Sequence, residues 1–271
     1  MQLYKYGSLS EIRLGAWCPS QDRSRSTILT DFSRYGRNGV YSPAAWSPSE
    51  GKIAAYYSGS VNTGQIPINL SPHRVITVSV WMNLAAYSTT RILLEYSVNY
   101  NNASSFVFLQ DSAGTMAFLQ RQFTSPAGYN GGTIVSTTSN VWNHYLFTLN
   151  RNSGTANSVT ASVNGKPVTV TQTASIDMQT DFTNSDLYLM SRAGTSFRTT
   201  GFLDDMAIYA GDVQRLAPIL ALRRGVAYET VRRRSYSLPG GSTRGGLINN
   251  RSLINSGGLI NSNSLVRGFV Q

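Results

Sequence analysis

Apolar and polar residues alternate with a period of two in short stretches that recur along most of the chain. The clearest is Val75 to Met82, where Ile76, Val78, Val80 and Met82 fall on one side and Thr77, Ser79 and Trp81 on the other. That period predicts a strand with one buried face. Similar stretches at Ile12–Trp17, Ile53–Tyr57, Gln65–Ile68, Arg91–Tyr96, Ser105–Leu109, Met116–Gln122, Trp142–Asn150, Val159–Val163, Val168–Thr171, Asp186–Met190 and Leu203–Tyr209 predict further strands. They recur at intervals of roughly a dozen residues, as in β-sandwiches. Asn38-Gly39 and Asn164-Gly165 supply tight turns, the second closing a two-residue hairpin because both of its turn positions favour positive φ. No helical periodicity is read before residue 212. Asp212 then predicts an N-cap for a helix over 213–224, interrupted or restarted near Pro218.

The pattern changes after that helix. Arg223, Arg224, Arg232, Arg233 and Arg234 form a basic cluster, Leu238-Pro-Gly-Gly reads as a linker, and a period of six begins at Gly246. Leu247, Leu253, Leu259 and Leu265 recur in register, each followed by Ile or Val. A repeat array this short buries its apolar side only against partner surface, so an oligomer, with a trimer favoured, is expected. The expected organisation is a β-sandwich over 1–224, a basic linker over 225–245 and an assembly arm over 246–271.

Composition sharpens this division. Charged residues make up only 13% of the 271, and the net charge of +10 is unevenly placed. Residues 1–214 hold 14 Lys/Arg against 12 Asp/Glu, while residues 215–271 hold 9 against 1. The β-rich part is nearly neutral and the basicity belongs to the arm. Aromatics that would stack on bases are not interleaved with these arginines, so docking on protein is favoured over nucleic-acid binding. Cys18 is the only cysteine, which excludes an intrachain disulfide. The first 13 residues lack a basic region followed by an apolar run, so no signal peptide is expected, and no membrane-spanning stretch is read.

Several motifs occur in a telling order: Gly15-Ala-Trp17, Asp31-Phe-Ser-Arg-Tyr-Gly-Arg-Asn-Gly39, Ile76-Thr-Val-Ser-Val-Trp81, Trp142-Asn-His-Tyr145, Val163-Asn-Gly-Lys-Pro-Val168 and Gly201-Phe-Leu-Asp-Asp-Met-Ala-Ile-Tyr209. Together they resemble the concanavalin A-like lectin/laminin G-like jelly roll over about residues 12–224, which implies an all-β sandwich of two antiparallel sheets. The segment Ala221-Leu-Arg-Arg-Gly-Val-Ala-Tyr-Glu229 is similar to one that follows such a domain in structural proteins of tailed bacteriophages. That second resemblance implies a non-enzymatic virion protein, a capsid decoration or a surface fibre or tail protein. It would be assembled in the host cytoplasm, displayed on the virion surface, and bound to other capsid or tail proteins through its arm. The competing expectation is a lectin module for cell-surface glycans.

The candidate chemistry is sparse. Glucan-cleaving relatives of this fold carry E-x-D-x-x-E on one strand, which sets two carboxylates on one face for retaining chemistry. Glu11, Glu50, Glu95 and Glu229 do not form that pattern. Asp204 and Asp205 are adjacent, and regular alternation would point them to opposite faces. No enzyme activity is expected. Some relatives of this fold bind calcium, which needs about six to eight oxygens. Asp111, Asp177, Asp181 and Asp186 are the loop acids that could contribute, although as turn formers and solvated acids they need no ion. His73 and His144 with one cysteine make no zinc set, and His144 reads as a packed strand residue. For a glycan the expected contacts are Tyr96, Tyr100, Asn101, Tyr129 and Asn130, with Tyr87 and Asn102 nearby in sequence.

Overall fold

The computed structural model describes residues 7–19, 27–42, 45–49, 52–59, 63–99, 101–112, 114–122, 129–134, 138–152, 159–174 and 181–222. The chain divides into two units, Met1–Val231 and Arg232–Gln271, and every described residue lies in the first. The arginine cluster from Arg223 and the leucines of the six-residue repeat are therefore outside the described residues.

Among the described residues, seventeen strands form two antiparallel sheets. The first sheet contains β1 (Arg13–Trp17), β4 (Ala45–Ser49), β5 (Lys52–Ser58), β7 (Val75–Leu84), β12 (Trp142–Asn150), β13 (Val159–Val163), β14 (Lys166–Val168) and β17 (Thr200–Ala210). The second contains β2 (Ile28–Leu29), β3 (Gly39–Ser42), β6 (Thr63–Asn69), β8 (Arg91–Tyr96), β9 (Phe106–Gln110), β10 (Met116–Arg121), β11 (Tyr129–Ile134), β15 (Thr171–Ala174) and β16 (Asn184–Leu189). Strand order is β14-β13-β12-β7-β17-β5-β4 in the first sheet and β15-β11-β10-β9-β8-β16-β6-β3-β2 in the second. This is the expected jelly-roll sandwich.

The alternation read from the sequence sets the core. Ile76, Val78, Val80 and Met82 of β7 are all fully buried between the sheets, with Leu203, Met206 and Ile208 of β17 beside them. Phe108, Phe118 and Phe147 pack at 4.5–5.1 Å between ring centroids. The hairpin at Asn164-Gly165 has φ of 50° and 80°, as its sequence requires.

Two local expectations need correction. A helix does precede residue 212: α1 (Gly7–Ile12) is six residues long, too short to show a period of 3.6. The C-terminal helix is shorter than 213–224 within the described residues. It comprises a 3-10 turn at Gln214–Leu216 and α2 (Ala217–Leu220). Pro218 sits in the first turn of α2, where its missing N–H costs nothing, so the helix restarts there. The N-cap of the 3-10 turn is Val213, without a side-chain capping bond, rather than Asp212; the Asp212 carboxylate, one residue earlier, accepts a 2.8 Å hydrogen bond from the Gln214 N–H.

The first sheet also carries a small second core on its outer face. Ala16, Leu146, Ala207 and Tyr209 pack there against Val213, Ala217 and Leu220, with Leu9 and Ile12 of α1 alongside. The N-terminal helix and the post-sandwich turns thus cover one end of that face. Among the described residues, the other end is left uncovered.

Candidate functional site

The open end is built by a row of residues that cross-strand pairing brings together. Tyr56 on β5 is the register partner of Phe202 on β17; Phe202 also pairs with Asn83 on β7, and Asn83 with Trp142 on β12. Direct cross-strand partners share a face. Tyr57, the next residue along β5, belongs to the inter-sheet core, so Tyr56 and its row point outward. The rings of Tyr56 and Phe202 lie 4.9 Å apart, and those of Trp142 and Phe202 6.1 Å apart.

Three of this row, without Trp142, help to wall a cleft of about 510 Å³ lined by Tyr56, Asn83, Ala85, Asn140, Thr200, Gly201 and Phe202. Its size is within the range usual for small-molecule sites, about 300–1,000 Å³. Gly201 forms part of the wall, and its φ of +152° suits glycine. A Cβ there would come within 2.4 Å of the Asn83 carbonyl oxygen. The Thr200 hydroxyl donates to the Ser58 carbonyl at 3.0 Å, leaving its lone pairs able to accept. The Thr200 N–H donates to the Tyr87 hydroxyl, which holds Tyr87 behind the cleft, with the Arg91 guanidinium 4.9 Å from its ring centroid. Neither the Asn83 nor the Asn140 side chain makes a hydrogen bond to another described residue. Asn140 is exposed at the rim with φ of +57°. The cleft lining therefore combines apolar ring surface with two amides, each able to donate and accept.

Of the sequence-predicted glycan contacts, Tyr87 bonds the cleft residue Thr200, whereas Tyr96 and Asn101 are placed elsewhere. Tyr96 is fully buried, its ring stacked 5.4 Å from Phe106, so it is a core residue and presents no platform. Its hydroxyl donates to the Thr183 carbonyl (2.6 Å), lies 3.1 Å from the Ile68 carbonyl, and accepts from the Leu70 and Ser185 N–H groups at 3.1 Å each. Burial raises the Tyr96 pKa. The final position of an alternating strand places a tyrosine in the core as readily as at a loop edge, which is why sequence alone misplaces it. Asn101 is half-buried and accepts a 2.8 Å hydrogen bond from Arg121. Tyr129 and Asn130 open β11, and Tyr100 lies outside the described residues. Sequence alone does not mark the residues that form the cleft, because they come from three separate strands and two loops.

The acidic pair behaves differently from its regular-strand expectation. β17 pairs with β5 through Thr200–Leu203 and with β1 through Met206–Tyr209, and the register against β7 shifts between Asp204 and Ala207. Asp205 sits in this bulge with φ of +42°. A residue in that conformation breaks the two-residue alternation. The two carboxylates consequently lie on the same side, within 4.8 Å of each other and of the Cys18 thiol. The thiol sulfur is 3.6 Å from Asp204 Oδ1. Both aspartates are 2% exposed or less, and all three residues have further interactions. A polymer cannot reach this pair, and a thiol with two buried carboxylates does not match calcium, which prefers oxygen ligands.

Among the described residues, that trio is also the one cluster of potential metal ligands. Asp111 accepts from the Thr115 N–H at 2.8 Å, Asp181 pairs with Arg74 at 3.1 Å, and Asp186 accepts from Gln65 at 2.6 Å. They do not converge, and Asp177 is outside the described residues. Glu11 is exposed on α1, whereas Glu95 is fully buried, 3.4 Å from Arg192. His144 is buried with Nε2 2.9 Å from the Ser79 hydroxyl, and burial lowers its pKa to about 4, so it is neutral near pH 7. It is the packed strand residue expected.

The Asp31 motif is structural. Its carboxylate accepts four hydrogen bonds, from the Ala16, Ser33 and Arg37 N–H groups and the Ser33 hydroxyl, at 2.7–3.0 Å. Trp17 Nε1 donates to the Arg37 carbonyl at 3.0 Å. The motif thus ties its loop to β1 and supports the strand beside the bulge.

Comparison with solved structures places the fold in a known setting. The receptor-binding domain of botulinum neurotoxin mosaic serotype C/D matches with a TM-score of 0.61 at 10% identity, over 79% of this chain and 51% of that one. A structure of botulinum neurotoxin type C, whose cell entry depends on two ganglioside molecules, matches at 0.59 and 13% identity, over 80% and 52%. Trypanosoma rangeli sialidase, solved with the inhibitor DANA, matches at 0.55 and 12% identity, over 77% and 32%. At such identities the likeness is one of fold. The chain spans about half the length of the toxin domains and about a third of the sialidase. No curated protein matches by sequence. A family model does match, over residues 57–214, and the chain belongs to the concanavalin A-like lectin/glucanase superfamily.

Proposed function

We propose that this protein is a non-enzymatic carbohydrate-binding module whose ligand site is the cleft walled by Tyr56, Phe202, Asn83 and Asn140. The observation that carries the reading is the coexistence there of clustered aromatic rings and two amides whose side chains make no hydrogen bond to another described residue. A sugar ring presents an apolar C–H face and an equatorial set of hydroxyls, and needs both kinds of surface. A non-enzymatic role is supported by the lack of the E-x-D-x-x-E pattern and by the burial of the Asp204–Asp205 pair. The ganglioside dependence of the structurally similar neurotoxin type C is consistent with glycan binding on this fold. A glycan array probed with the intact protein tests the reading: specific binding to a set of glycans is expected, and no binding to any would remove it.

A second reading concerns where the module works. The concentration of net charge +8 in residues 215–271, followed by the Leu-Ile/Val repeat, favours an arm that assembles the protein into a larger particle. The reading is a virion structural protein, a capsid decoration or surface fibre or tail component, oligomerised as a trimer through the arm. Deleting residues 235–271 is the test. The truncated protein is expected to lose trimer formation and particle association while its glycan binding per subunit remains. Retention of both assembly properties refutes the anchoring role.

A further inference from the structure

We infer that the cleft selects neutral sugars and binds them without a divalent cation; this rests on the carbohydrate-binding reading above. None of its seven described lining residues carries a charge: Tyr56, Asn83, Ala85, Asn140, Thr200, Gly201 and Phe202 are aromatic, amide, hydroxyl or apolar. A sialic acid or uronate would bring a carboxylate into the cleft and lose its hydration without a cation to pair it, a costly desolvation. Arg91 is not among the described lining residues; its guanidinium lies against Tyr87, 4.9 Å from the ring centroid. A divalent cation would need several oxygen ligands, and the described lining supplies no carboxylate. The acidic trio on β17 and β1 is buried and of the wrong donor chemistry.

The same geometry orients the ligand. The rings of Tyr56 and Phe202, 4.9 Å apart, take the C–H face of a pyranose, and the Asn83 and Asn140 amides take its hydroxyls as donor and acceptor. The Thr200 hydroxyl, its proton committed to the Ser58 carbonyl, serves as an acceptor for one sugar hydroxyl.

Asn140 provides a clean probe. Its φ of +57° is one that glycine adopts freely, so Asn140→Gly removes the amide and keeps the turn. The experiment is a glycan array followed by calorimetric titration of the best neutral and best acidic oligosaccharide. Titrations are made with the intact protein at 0.1 and 0.5 M NaCl, with and without EDTA. Neutral glycans are expected to bind, with affinity changing less than about twofold with salt or EDTA, since no ion pair is formed. N140G is expected to weaken binding roughly three- to tenfold, the loss of one net hydrogen bond. Binding confined to sialylated or uronate glycans, or abolished by EDTA, overturns the neutral, cation-free site while leaving carbohydrate binding in place. Neutral binding unaffected by N140G overturns the assignment to this cleft. Absence of binding to every glycan overturns both.

Discussion

Replacing Tyr96 with phenylalanine removes one oxygen atom, and the structure says this atom is worth more to the fold than any exposed tyrosine would be. The hydroxyl sits where residues 68–70 and 183–185 meet, accepting from the Leu70 and Ser185 N–H groups and donating to the Thr183 carbonyl. The ring itself stays stacked on Phe106 and edge-on to Phe182, so Y96F leaves the apolar packing intact. What it leaves behind are two backbone donors without their acceptor, at about 1.5 kcal/mol each, or about 3 kcal/mol in all. For a domain of this size each kcal/mol lowers Tm by about 2–4 °C, which predicts a drop of about 6–12 °C. Equilibrium urea unfolding and thermal scanning of Y96F against the unmodified protein give the two numbers. Glycan affinity should be unchanged, because Tyr96 does not reach the cleft. A cost below about 1 kcal/mol would refute the hydrogen-bond accounting. Lost binding at unchanged stability would restore Tyr96 as a ligand contact.

Other substitutions probe other parts of the account. His144 is held neutral, with its pKa near 4 against an ordinary 6.5. In the window between those values the unfolded chain binds a proton that the folded chain refuses, so stability is complete above pH 6.5 and falls as pH drops toward 4. By pH 4 this one residue should cost about 3 kcal/mol, and His144→Gln should show a correspondingly flatter stability between pH 7.5 and 4; equal slopes would contradict it. Gly201→Ala forces a Cβ to within 2.4 Å of the Asn83 carbonyl at an unfavourable φ. A loss of roughly 2–4 kcal/mol together with weaker glycan binding is expected by urea unfolding and titration, and a near-neutral result would mean the wall is looser than described. Asp31→Ala breaks four hydrogen bonds to the Asp31 carboxylate and should destabilise by about 3 kcal/mol or more without touching the cleft, measured the same way.

The fold was legible because its signals are local. The alternation in Val75–Met82 and the Asn164-Gly165 turn each decide structure over a few residues, and both stand as read. Strand β11, with Tyr129-Asn-Gly-Gly-Thr-Ile, shows no alternation, since two of its six residues have no side chain; it is held by its neighbours β10 and β15 instead. The site was not legible, for two physical reasons. Tyr56, Asn83, Trp142 and Phe202 are distant in sequence and meet only through register. Asp204 and Asp205 sit at a bulge that breaks the alternation of β17, and nothing in Leu-Asp-Asp-Met marks the exchange of β5 for β1 that accompanies it. Asp31 lies between these cases: its motif was recognisable, and the structure supplies the reason, four hydrogen bonds that fix the loop beside Trp17.

The most direct test of the central claim is to map ligand contact residue by residue. Backbone amide spectra of the isotopically labelled protein, titrated with the neutral oligosaccharide that binds best, report which residues feel the sugar. The account predicts the largest shifts at Tyr56, Asn83, Asn140 and Thr200–Phe202. Shifts centred instead on Asn101 and the Tyr129–Asn130 strand end, with the cleft silent, would contradict it.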